Sequence, residues 1–103
     1  MPELTNPFKL VPERKLSKTE LISMIRQAII AEHDAIAQYM LQAEAAGDAY
    51  IKRVLLDIAN EERVHVGELT TVLEYLTDGE EDDFVEKGRK EAVETAKEMT
   101  KEK

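Results

Sequence analysis

Residues 49–76 read AYIKRVLLDIANEERVHVGELTTVLEYL, and their periodicity decides the fold. Taken at alternating steps of three and four, the stretch yields Ile51, Leu55, Ile58, Glu62, His65, Leu69, Val72 and Leu76. That spacing is the seam of a helix lying along another helix. Six of the eight positions are aliphatic. The two exceptions are neighbours in mid-helix, a carboxylate and an imidazole, which are the donor types that hold iron, manganese or zinc without sulfur.

Upstream, the row Ile22, Ile25, Ile29, Glu32, Ile36, Tyr39 and Ala43 repeats the pattern, again with one carboxylate breaking it. This first helix is expected over residues 18–46. Ser17-Lys18-Thr19-Glu20 fits a capping box at its start. Gly47 is expected to end it in the left-handed conformation, and Asp48 to cap a second helix over 49–76. Thr77-Asp78-Gly79 then breaks the period. The result is an antiparallel two-helix hairpin, residues 17–78. A short charged helix or tail follows over 79–103, helical from about Glu81, with Asp83 to Lys87 and Glu86 to Lys90 spaced for i,i+4 pairs. Phe84, Val85, Val93, Ala96 and Met99 are expected to dock one edge of it. Residues 1–16 hold all three prolines and no sustained period, which reads as an extended arm.

In an antiparallel hairpin, distance from the turn measures depth. Glu32 lies fifteen residues before Gly47, and Glu62 and His65 lie fourteen and seventeen after Asp48, so the three share one level. Two carboxylates at one depth of an apolar seam repel and are poorly solvated, and a dication compensates both costs. Glu61 competes for the same role at i,i+4 from His65, but it points about 100° away from the seam defined by Ile58 and Leu69, which places it behind the ligands or at the mouth of the site.

Composition narrows the chemistry further. The 103 residues carry a formal net charge of -8, which disfavours nucleic acid and anionic membranes as partners and favours cations. Cysteine is absent, so disulfides, thiolate metal sites and thiol nucleophiles are excluded together. No signal-peptide layout or membrane-length apolar run is seen, and a cytoplasmic protein is the expectation. A chain this short gains from a metal or a partner subunit.

One Glu and one Glu-x-x-His are half of the ligand set that a ferritin-like four-helix bundle places around two metals. Two chains, hairpin against hairpin, complete it. The length, the hairpin, Glu32, Tyr39 and Glu62-Arg63-Val64-His65 resemble the encapsulated ferritins over about Ser17 to Met99. The resemblance implies a dimer forming a ferritin-like bundle and assembling into a ring, commonly a decamer. It implies a ferroxidase that oxidises Fe(II) at a di-iron site between subunits and feeds iron storage inside an encapsulin nanocompartment, whose shell protein is separate or fused. Glu32, Glu62 and His65 correspond to the metal ligands and Tyr39 to an aromatic beside the centre. Family members often carry extra acids near Glu32; here Ala31 stands next to it and Asp34 is the nearest acid, with His33 between. The chain ends in Met99-Thr100-Lys101-Glu102-Lys103 where many members carry a partly apolar tag, which fits a domain fused ahead of its shell.

The alternative reading is a helical assembly module stapled by zinc or another dication, with no redox activity. A rubrerythrin-like peroxidase or small oxygenase is a third, weakened by the missing cysteines and the single Glu-x-x-His.

Overall fold

The computed structural model describes residues 14–101. Among them are three helices and no strand: α1 (Lys18–Ala45), α2 (Ala49–Leu76) and α3 (Glu80–Lys101). Residues 1–13 of the expected arm lie outside the described residues.

Each helix starts where its sequence provides acceptors for the orphan amides of the first turn. Ser17 Oγ accepts from the Glu20 amide at 3.2 Å while Glu20 Oε1 accepts from the Ser17 amide at 2.9 Å, closing the capping box. Arg14 adds a two-pronged pair to the same Glu20 at 2.8 and 3.0 Å. Asp48 Oδ1 accepts from the Ile51 amide at 3.0 Å at the head of α2. At the head of α3, Thr77 Oγ1 accepts from the Glu81 amide at 3.2 Å and itself donates to the Leu73 carbonyl at 3.0 Å.

The two turns differ from each other. Gly47 was expected to take the left-handed conformation, but the chain leaves α1 through an extended Ala46 (φ -69, ψ 126), whose amide still reaches the Gln42 and Ala43 carbonyls. With the exit made by an ordinary residue, Gly47 needs no positive φ. The left-handed residues fall at the second turn, Asp78 (φ 53) and Gly79 (φ 84), and they swing α3 away from the hairpin.

The hairpin core is thin. Among the described residues only Ala43, Ala59 and Leu73 are buried. Ala59 and Leu73 were not on the expected α2 row, whereas Ile51 and Val72, which were, are 51% and 41% exposed. The reason is geometric: steps of three and four split the row into two lines about 40–60° apart around the helix, of which the line through Leu55, Glu62 and Leu69 faces α1 and the line through Ile51, His65 and Val72 falls to its side. The face of α2 that meets α1 runs through Leu55, Ala59, Glu62, Val66, Leu69 and Leu73; Ile51, His65 and Val72 form an open flank.

α3 also departs from expectation. It runs from Glu80 to Lys101, close to the start expected at about Glu81, but Phe84, Val93 and Met99 are 66%, 55% and 63% exposed instead of docked. Val85 alone of the five lines a groove with the hairpin, and the expected i,i+4 ion pairs give way to Arg89 with Glu86 at 3.4 Å. The stripe on α3 finds no matching row on the hairpin, because the hairpin's apolar rows already face each other or the open flank. Arg26 holds the start of α3 instead, through two contacts to Glu81 at 3.1 and 2.8 Å. That hydrogen bonding draws the Glu81 carboxyl below its ordinary range.

Candidate metal centre

The site is assembled by register. Glu32 sits mid-way along α1 and Glu62 faces it from α2 on the closed side of the hairpin, their side chains 22% and 21% exposed. His65 follows three residues later, about 60° around α2, on the open flank, and its side chain is 46% exposed. Its Nδ1 lies 3.3 Å from Glu62 Oε2 and 3.5 Å from Glu32 Oε1. One donor atom from each of the three residues falls within 4.8 Å of the others. The imidazole nitrogen therefore faces both carboxylates, the direction from which it would share a cation with them.

One atom in this cluster lacks an interaction. Glu32 Oε2 is buried with no hydrogen-bond partner. A buried, unpaired carboxylate oxygen costs free energy in a metal-free chain, and a cation removes that cost. The donor set, two hard oxygen ligands and one imidazole, suits iron, manganese or zinc. Three ligands also leave coordination positions to fill, and the flank beside His65 carries the exposed Ile51, Val54 and Val72, so the site opens onto an uncovered apolar strip.

The remaining candidates fall outside the cluster. Tyr39 is half-buried on α1, about two turns from Glu32, and the structure gives it no hydrogen bond. Glu61, His33 and Asp34 are exposed and do not join the three. Arg63, between Glu62 and His65, turns the other way: it contacts Met40 Sδ at 3.2 Å and Asn60 Oδ1 at 3.2 Å. Sequence reading missed that pairing, as Met40 lies off the row. A cavity among the described residues lies elsewhere too. A groove of about 470 Å³ runs between the hairpin and α3, past Arg26, Ile29, Ile30, Leu73, Glu81 and Val85, and contains none of the three donors. Among the described residues no helix is long and apolar enough to cross a membrane.

Comparison with known proteins identifies relatives of the fold. Residues 23–103 match the family model described as Rubrerythrin. The crystal structure of the encapsulated ferritin domain from Pyrococcus furiosus superposes with a TM-score of 0.78 at 38% identity, covering 86% of this chain and 90% of that one. Two curated proteins are similar in sequence: a ferritin-like-encapsulin shell fusion protein of Pyrococcus furiosus, 41% identical over 68 residues, and the encapsulin nanocompartment cargo protein EncC of Myxococcus xanthus, 42% identical over 65. The matched regions are 66% and 63% of this chain but 20% and 49% of those proteins.

Proposed function

The chain belongs to the rubrerythrin family, in its encapsulated-ferritin branch, and from that premise we propose that it is a ferroxidase whose two-iron centre is completed by a second copy. The observation that carries this reading is the convergence of Glu32, Glu62 and His65 around the unpartnered Glu32 Oε2, at the edge of an open apolar flank. Two chains meeting through that flank would gather four carboxylates and two imidazoles, the full set of a ferritin-like centre.

Iron is the substrate here. Each of two Fe(II) ions loses one electron, and a two-electron acceptor such as O2 takes both. Hard carboxylate oxygens bind Fe(III) more strongly than Fe(II), so the donor set favours the oxidised product. The chain's own contribution is to hold the carboxylates close, to aim the His65 Nδ1 at them, and to draw Fe(II) in with a net charge of -8. The relatives named as encapsulin fusion and cargo proteins support a place inside an encapsulin compartment in the cytoplasm, where a shell, separate or fused, would hold the mineral. Tyr39 belongs to the proposal as an aromatic near the centre.

Anaerobic protein loaded with Fe(II) and mixed with air should develop ferric absorbance much faster than buffer, and Glu62→Ala should reduce the rate to that of buffer. Equal rates for both proteins and for buffer would sink the ferroxidase reading. Tight Zn(II) uptake with no Fe(II) oxidation would favour a zinc-stapled assembly module, since the same donors accept zinc.

A further inference from the structure

The joint between α2 and α3 carries the one Asp-Gly step of the sequence, Asp78-Gly79, and there is no Asn-Gly. Among the described residues these two alone have positive φ, 53° and 84°, a region that aspartate tolerates and glycine enters freely. The Asp78 side chain is 86% exposed, and its Oδ2 lies 3.5 Å from Lys18 Nζ at the start of α1. The Gly79 amide donates to the Glu74 carbonyl at 2.9 Å and the Asp78 amide to the Tyr75 carbonyl at 3.3 Å, closing the end of α2. Beyond the joint, Arg26 holds Glu81 at 2.8 Å.

We propose that Asp78-Gly79 is a modification site at which the main chain converts to isoaspartate, and that the contacts restraining this turn set the rate. In the first step the Gly79 nitrogen bonds to the Asp78 carboxyl carbon. The amide proton and the carboxyl OH leave together as water, and a five-membered imide results. Water then opens the imide. Breaking the bond from nitrogen to the side-chain carbon restores aspartate. Breaking the bond from nitrogen to the main-chain carbonyl carbon of Asp78 routes the chain through the side chain and leaves the former main-chain carboxyl free. Water is the only co-reactant, and nothing is oxidised or reduced. Glycine in the following position favours ring closure because no side chain crowds the attacking nitrogen. Asp82 and Asp83, exposed in the first turn of α3, are followed by Asp83 and Phe84 and lack that advantage.

The fold opposes the reaction without abolishing it. The Gly79 N–H is engaged by the Glu74 carbonyl, and the left-handed backbone of Asp78 and its contact with Lys18 fix the carboxyl. Ring closure therefore waits for the turn to open, and its rate follows the open population. Two of the restraints, Lys18 with Asp78 and Arg26 with Glu81, are ion pairs with exposed partners and are weak. The product has one more main-chain atom at the joint and no longer presents the Gly79 amide to Glu74, so α3 is released from the course the turn imposes on it.

Protein held warm at neutral pH in EDTA and then digested with trypsin yields the peptide Val64–Lys87, which contains Asp78, Asp82 and Asp83. Electron-transfer fragmentation assigns isoaspartate to one of the three. In the native chain, conversion is expected at Asp78 alone, more slowly than in urea. Asp78→Glu should abolish it, because the longer side chain must close a six-membered imide. Lys18→Ala and Arg26→Ala should each raise the native rate about two- to fivefold, the range a surface ion pair contributes, at unchanged helix content by circular dichroism. The converted fraction should exchange amide hydrogens faster in the first turns of α3. No conversion at Asp78 in urea or in the two variants, equal conversion at Asp82 or Asp83, a native rate equal to that in urea, or rates alike in parent and variants overturns the proposal. Metal is absent throughout, so the outcome is independent of the ferroxidase reading.

Discussion

Replacing Glu32 by leucine separates what this side chain does for a metal from what it does to the hairpin. Its Oε2 is buried without a partner, so in EDTA the carboxylate is a burden on the fold, by about 1–3 kcal/mol for such a group and less here because the side chain keeps some exposure. Glu32→Leu should therefore melt at the same temperature as the parent or higher when metal-free, and should fail to gain stability when Fe(II) is added anaerobically. A clear drop in the metal-free melting temperature would refute the view that Glu32 is held in place for a cation. The three donors were legible in the sequence because an aliphatic row exposes any polar intruder, and because counting from the turn gives depth without knowing a single angle. The lateral placement was not legible. That His65 stands about 60° off the closed face, half in the site and half on the flank, depends on where α1 touches α2, which the repeat alone averages over. Glu61 was excluded by the same row and is exposed on α2.

For the individual helices, the caps set the expectations. Ser17→Ala removes the acceptor for the Glu20 amide and should cost about 0.5–2 kcal/mol, read by chemical denaturation. The Arg14 guanidinium first, then the Ser17 amide and hydroxyl, hold the Glu20 carboxyl down from an ordinary 4.5 to about 2. A depressed folded-state value means the contribution is fully present above about pH 4.5 and is lost as the pH falls toward 2. The amide resonances of Ser17 and Glu20 should shift over that acid range, and Arg14→Ala should move the midpoint upward. Midpoints that coincide in the two proteins would count against the pairing. Arg26→Ala should leave the hairpin intact, since a largely exposed ion pair contributes about 1 kcal/mol or less, but should raise hydrogen exchange in the first turns of α3. Helix boundaries could be read from Ser17, Asp48 and Gly79, because caps are local chemistry. The fate of α3 could not. Arg26 and Glu81 are 55 positions apart with no shared period, and an apolar stripe reveals that a helix has something to bury without naming what covers it.

The whole molecule exposes 8421 Å², where a globular monomer of 11.7 kDa exposes roughly 5900 Å². Among the described residues, an open flank beside the donors and most of α3 contribute to that exposure. Native mass spectrometry at stepwise Fe(II) should therefore show metal only in even-numbered species, at two ions per pair of chains, and chelation should reduce the assembly to the contacts that need no metal. A lone chain carrying two irons would rule out a shared centre.

In the proposed shared centre, where Glu32, Glu62 and His65 would furnish only part of a coordination shell, the oxidation would also have a reaction order. At protein concentrations below the dissociation constant of the metal-bearing pair, the oxidation rate should rise with the square of the chain concentration, and above it linearly. Dilute chains would then be nearly inert toward Fe(II), and confinement in a small volume would act as the switch, turning iron chemistry on where its insoluble product can be contained.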